Sequence, residues 1–299
     1  GAPPRREKSR YAPTYVTKRG PAALEFGVYA TQAMAEWPAL LDDDPEERRV
    51  QRFLEQHPAL VPGSLSPGGA TCGSELFNLL VSQPTLPGLD ARQPDFLWFT
   101  STSDTWYAVL VEIEAPGKRL FRRSGIPTAE FNQARNQLNQ WRSWFGLPTN
   151  QLKFQADYGV PELWTARRAM AVHMLLVYGR RDEFRQDPSL TRQRSSLLSG
   201  ADEELMSFDR LVPDSFLADA ITVRAKGNGR YRALSVPPTF KLGPSHPERL
   251  LQVDGLEEAI DSSEGWSAAR RAFVTSRIPY WRGWAMRDDK GWVDFSDEE

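Results

Sequence analysis

The chain has 299 residues, 40% of them apolar and 25% charged, a balance that excludes a disordered or collagen-like polymer and supplies enough apolar mass for a sizeable core. A formal net charge of -2 excludes a global field that gathers nucleic acid, so any such partner must be met by local patches. The single Cys72 excludes an internal disulfide framework, and with no secretory h-region and no apolar run of about eighteen residues the expectation is a soluble cytoplasmic protein with no membrane partner.

Residues 1–40 read as a basic arm, carrying Arg5, Arg6, Lys8, Arg10, Lys18 and Arg19 among prolines, followed by a helix over 22–37 that Trp37-Pro38 stops. The segment DDDPEERRVQRFLEQHPALV has an acidic cap, Pro45 at a first helical position and Val50, Phe53 and Leu54 at helical spacing, which predicts a helix from Pro45 to Gln56. Glu47 lies one turn before Val50, on the flank of the apolar stripe. It either points back toward the sheet or is a solvated first-turn residue favoured by the helix dipole. Residues 62–73 form a Pro/Gly/Ser-rich loop, Ser74 to Val81 a first strand with Glu75 as a further candidate acid, and Pro84 to Arg92 a long connection.

Asp95 then bounds the short strand DFLWF, and Trp106 to Glu114 form a strand of aromatic, β-branched and aliphatic residues that ends in two acids. Alternation puts Leu110, Glu112 and Glu114 on one face. Carboxylates at the end of a buried strand are costly to desolvate, so they call for a cation, and a divalent metal held by oxygen ligands is an economical one. Asp95 can supply a further oxygen from the neighbouring strand.

Pro116-Gly117 breaks the backbone, and Lys118, Arg119, Arg122 and Arg123 follow within a few residues, placed to attract a phosphodiester beside the acids. Thr128 is expected to cap a helix running to Phe145, with Phe131, Ala134, Leu138, Trp141 and Phe145 in one packed stripe and Gln133, Gln137 and Gln140 on a different face. Ala171 to Tyr178 is a further strand, whose His173 reads as a core residue. Arg180 and Arg181 at its end either meet phosphate or pair with Asp182 and Glu183. SLTRQRSSLLSG reads as a helix and Glu204 to Asp209 as another strand. Strands separated by helices predict a mixed α/β sheet with covered faces over residues 41–222. Residues 223–299 read as an appendage: a hairpin around Lys226-Gly227-Asn228-Gly229, a linker, and Trp-rich helices over Leu256 to Ile260 and Ser267 to Met286, the second kinked or divided by Pro279.

The Pro94-Asp95 pair followed by Glu112-Ile113-Glu114 resembles the PD-(D/E)XK nuclease superfamily. Within it, VEIEAPGKRLF and PTAEFNQARNQLNQWRSWF, set between FLEQHPALV and the later LLVYGRR and MSFDRL, are similar to the Shedu family of bacterial anti-phage nucleases over roughly residues 40 to 215. The resemblance implies a restriction-endonuclease-like mixed sheet flanked by helices. It also implies Mg²⁺ or Mn²⁺ held by Asp95, Glu112, the backbone carbonyl of Ile113 and Glu47, with Gln133 or Gln137 presented to the site. Double-stranded DNA would be the substrate, cut to leave a 5'-phosphate, and the protein would be a homo-oligomer, a dimer or a tetramer. Glu114 departs from the pattern, because the common motif has Lys there. Either Glu114 helps to bind a second metal while Lys118 reaches in as the missing cation, or the site is degenerate and the fold serves as a non-catalytic nucleic-acid-binding or sensor protein.

Overall fold

A computed structural model of the chain describes residues 13–63, 78–89, 93–185, 187–198, 200–244, 247–290 and 299. Cys72, Glu75 and the first residues of the expected strand from Ser74 lie outside them. Eight strands form one mixed sheet: β1 (Leu79–Ser82), β2 (Phe96–Ser101), β3 (Thr105–Ile113), β4 (Ala169–Val177), β5 (Glu203–Met206), β6 (Ile221–Gly227), β7 (Arg230–Ser235) and β8 (Val253–Asp254). Their spatial order is β5-β4-β3-β2-β1-β6-β7-β8. The β1–β2 and β2–β3 pairs are antiparallel, whereas β4 lies parallel to β3 and β6 parallel to β1.

Period-two alternation divides the sheet into two apolar faces. One carries Phe96, Trp98, Val109, Val111, Ile113 and Val177 beneath helices α1 (Phe26–Asp42) and α2 (Glu47–Gln56). The other carries Leu97, Phe99, Ala108, Leu110, Met174 and Leu176. It is covered chiefly by α3 (Ala129–Phe145) and α4 (Pro148–Tyr158), which lead through α5 (Glu162–Arg167) into β4. Short helices α6 (Asp182–Arg185) and α7 (Pro188–Arg194) link β4 to β5, and α8 (Pro247–Gln252), α9 (Leu256–Ser262) and α10 (Ala268–Ala285) pack beside β7 and β8. Among the described residues no helix is long and apolar enough to cross a membrane.

Two expectations change. Pro38 does not stop the first helix, which continues to Asp42 because Trp37, Leu40 and Leu41 are buried against the sheet. That burial, at about 1.5–3 kcal/mol per large side chain, outweighs a proline penalty of about 3 kcal/mol. Of the two outcomes expected at Pro279, division does not occur: it sits inside a continuous α10. The expected strand over Glu204 to Asp209 ends at Met206, and Phe208–Arg210 turn into a 3₁₀ helix. The hairpin forms as predicted, with Asn228 at φ 51° and Gly229 at φ 67° in the left-handed region its tight turn requires. Its first strand pairs with β1 and extends the central sheet.

Candidate active site

The acids gather where β3 ends and β2 begins. Alternation places Glu112 and Glu114 on the face of Leu110, and the antiparallel register that pairs Phe96 with Val111 brings Asp95 beside Glu112. Glu112 is fully buried, and Asp95 and Glu114 nearly so. The Asp95 N–H donates to the carbonyl of Val111 at 3.0 Å, and the Asp95 Oδ2 accepts the N–H of Ile113 at 2.8 Å. That second bond ties the Asp95 carboxylate to the one residue that separates Glu112 from Glu114.

Beyond the strand the backbone folds back on itself, the Lys118 N–H reaching the carbonyl of Ala115 at 3.0 Å. The turn carries the Lys118 ammonium onto Glu114 Oε2, where the two form an ion pair. Gly117 allows this approach, because a Cβ there would collide with the Asp44 side chain at the start of α2. The loop that follows is clamped by a residue the sequence reading gave no such role: Glu183, nearly buried, accepts the N–H groups of Leu120 and Phe121, each at 2.9 Å. Arg119 lies 3.8 Å from the same carboxylate, and Arg122 and Arg123 are exposed. Thr128 caps α3 as expected, its Oγ1 accepting the N–H of Phe131 at 3.2 Å. Phe131 in turn packs edge-on against Tyr178 at 5.4 Å. Burial pushes the Tyr178 phenol up to about 12, with the charge of nearby Glu114 acting in the same direction.

The glutamines separate. Gln133 is exposed, but Gln137 is buried among the packed residues of α3, and its Nε2 has no acceptor among the described residues. Burial thus separates Gln137 from Gln133 and Gln140, which the helical spacing had grouped on one face. Arg180 pairs with Asp209 at 2.9 Å and Asp42 at 3.1 Å in place of Asp182 or Glu183, and Arg181 is exposed. His173 is buried, and burial lowers its ring pKa, as suits a core residue.

On the opposite side of the strand ends, α2 supplies Glu47, half-buried, and Gln51, nearly buried. The Gln51 amide lies 3.5 Å from the Asp95 carbonyl and 3.4 Å from Ser82 Oγ, which donates to Glu55 at 2.5 Å. Gln51 and Glu55 were missed, although their i, i+4 spacing beside the apolar Val50 and Leu54 was a usable signal. Glu47, Gln51 and Asp95 line a cleft of about 540 Å³ together with Arg48, Gln83 and Arg224.

Among the described residues, no group of three or more His, Cys, Asp or Glu side chains is assembled to hold a metal ion. The paired ends of β2 and β3 carry two carboxylates, Asp95 and Glu112, and the backbone carbonyl of Ile113. Hard oxygen donors of this number suit Mg²⁺ or Mn²⁺, which complete their coordination with water and substrate phosphate.

No curated protein matches the chain. The family model described as Shedu protein SduA, C-terminal, matches residues 44–212, which is more than half of the chain and runs from the residues before α2 to just beyond β5. It takes in Glu47, Asp95, Glu112, Glu114 and Gln137 on their elements, and on that match the chain belongs to the Shedu family.

Proposed function

We infer that this protein is an Mg²⁺- or Mn²⁺-dependent endonuclease of the PD-(D/E)XK type, hydrolysing phosphodiester bonds of double-stranded DNA in bacterial anti-phage defence. The observation that carries the reading is the 2.8 Å bond from the Ile113 N–H to Asp95, which draws one strand's carboxylate onto the acidic end of the next. Asp95, Glu112 and the carbonyl of Ile113 would hold the ion, with Glu47 approaching from α2. A bound divalent ion supplies charge neutralisation at the phosphate and a lowered pKa for water. Family membership supports the defence role, action in the cytoplasm and assembly as a homo-oligomer.

The chain's own residues divide the remaining work. Lys118, folded back onto Glu114, brings a positive group to the motif position that Glu114 occupies, where it can meet charge developing on the phosphate. Gln137 offers a buried amide N–H to a bound group, and Arg119, Arg122 and Arg123 offer guanidinium groups to the flanking backbone. Arg180 acts through structure, bracing the end of β4 against Asp42 and Asp209.

The test is incubation of linear and supercoiled DNA with the purified protein in Mg²⁺ or Mn²⁺, beside Glu112→Gln. Cleavage that needs the metal and vanishes in the variant is the expected result. A second reading, a non-catalytic nucleic-acid-binding protein, is favoured by the lack of a three-acid group among the described residues and by Glu114 itself. DNA retention that persists in chelator, with no cutting by wild type, would establish it instead.

A further inference from the structure

The cleft beside Asp95 is built from two regions of the chain, and one of them lies outside the family match. Arg224 belongs to β6, beyond residue 212. Because β6 runs parallel to β1 with Val223 opposite Val81, Arg224 falls beside Ser82 and Gln83, at the end of the sheet where Asp95 lies. Its Nη2 donates to Gln83 Oε1 at 3.0 Å, while the Gln83 N–H donates to the carbonyl of Asp95 at 2.7 Å. Gln83 adopts φ 47°, a left-handed conformation that a non-glycine residue holds only when its surroundings fix it. A continuous set of contacts thus runs from Arg224 through Gln83 and Asp95 to Ile113. Arg48, exposed on the first turn of α2, faces the cleft from the other side.

From this we propose that the cleft holds the nucleic-acid strand next to the scissile bond, with Arg224 and Arg48 gripping a phosphate adjacent to the one addressed by Asp95 and Glu112. The inference rests on the nuclease reading for the identity of that bond. The chemistry of the walls selects the ligand. Two guanidinium groups match the forked geometry of a phosphodiester, and the amides of Gln51, Gln83 and Gln93 suit the edges of sugar and base. Among the described residues of the lining, Arg48 and Arg224 are balanced by Glu47 and Asp95. A phosphate gains there when seated on the arginine side, which sets the path of the strand past Asp95.

The experiment measures binding apart from cleavage, by fluorescence anisotropy of a labelled short DNA duplex in Ca²⁺ over a series of salt concentrations. The background is Glu112→Gln, so that no cutting intervenes. Arg224→Ala is expected to weaken binding about tenfold, as loss of a charged hydrogen bond does, and to make the logarithmic salt dependence shallower by about one unit. Arg224→Lys should restore the salt slope but only part of the affinity. Gln83→Gly, which removes the side chain that Arg224 braces and accepts the left-handed backbone, should leave the slope unchanged. Affinity and slope unaltered in Arg224→Ala would overturn the proposal, as would a Gln83→Gly variant that reproduces the whole loss. Tighter binding of a free nucleoside monophosphate than of the duplex would also overturn it. A wild-type protein that cuts no DNA, yet binds it through Arg224, would sink the nuclease reading and leave the cleft assignment standing.

Discussion

Exchanging the charges of the Glu114–Lys118 pair separates two roles for Lys118. The Glu114 side chain is 6% exposed and that of Lys118 37%, so Lys118→Met strands a nearly buried carboxylate. Coulomb attraction of about 4 kcal/mol, for unit charges about 4 Å apart at an effective dielectric near 20, bounds what is lost. Solvent at the partly exposed ammonium reduces this to about 1–2 kcal/mol, a fall in Tm of about 1.5–3 °C for a chain of this size. Glu114→Gln/Lys118→Met should recover most of that stability, because the stranded charge is gone. Cleavage should not follow stability. If the ammonium meets the phosphate, both variants lose about 10²–10³-fold in single-turnover rate, the cost of removing one group that stabilises developing charge. The swapped protein Glu114→Lys/Lys118→Glu then keeps the pair, puts a lysine at the motif position and should regain activity to within about tenfold of wild type. Single-turnover cleavage of a linear duplex with Mn²⁺, read beside thermal melts, decides the matter. Full activity in Glu114→Gln/Lys118→Met would refute the reasoning, since it would mean that Lys118 only neutralises Glu114.

Three further outcomes follow from the packing. His57 is stacked between Tyr29 and Phe53, and burial lowers its pKa from 6.5 to about 4. Between those values the unfolded chain binds the extra proton, so stability is full above about pH 6.5 and falls as pH drops toward 4, by up to about 3 kcal/mol. Melts at pH 7 and pH 5 should show the loss in wild type and a flatter profile in His57→Asn; equal slopes would count against it. Glu183→Ala removes the acceptor of the Leu120 and Phe121 N–H groups and should cost about 2–3 kcal/mol. Hydrogen exchange should quicken at those two amides, and unchanged protection there would show that the clamp is dispensable. Gly159 caps α4 at φ 62°, and a Cβ on it would lie 2.6 Å from Gly229 Cα in the β6–β7 turn. Gly159→Ala should therefore lower the urea midpoint by the equivalent of about 2 kcal/mol or more, combining left-handed strain with the displaced turn.

What the residues disclosed before any coordinates depended on how local the determining contacts are. Glu112 and Glu114 could be put on one face with Leu110 because strand alternation is a property of a few adjacent residues, and the cap at Thr128 was equally local. Helical spacing grouped Gln133, Gln137 and Gln140 but did not disclose that Gln137 alone of the three is buried, since burial depends on what packs against the helix. The partners of Arg180, Asp42 and Asp209, are distant for the same reason. The hairpin turn was legible in Asn228-Gly229, yet its strand's place in the sheet was not, since the parallel pairing with β1 joins segments some 140 residues apart. Arg224 entered no candidate set on that account. Its chemistry exists only once β6 lies against β1.

The two ends of β3 show why the candidate site sits where it does. From Trp106 to Val111 every residue but Tyr107 is buried and apolar, and each contributes to one of the two cores. At Glu112 the same buried geometry is occupied by a carboxylate, whose desolvation costs several kcal/mol that a leucine would not incur. Local packing and residue choice disagree at that one position on the strand, and the disagreement extends to the nearly buried Asp95 and Glu114 beside it. A conflict of this kind in an otherwise consistent sequence is expected at functional positions, where stability is given up for chemistry. The backbone bond from Ile113 to Asp95 holds the acids on hydrogen-bonded strand ends, so their geometry does not depend on the charge that one of them carries. Glu112→Gln can therefore be read as a change in chemistry with the frame intact.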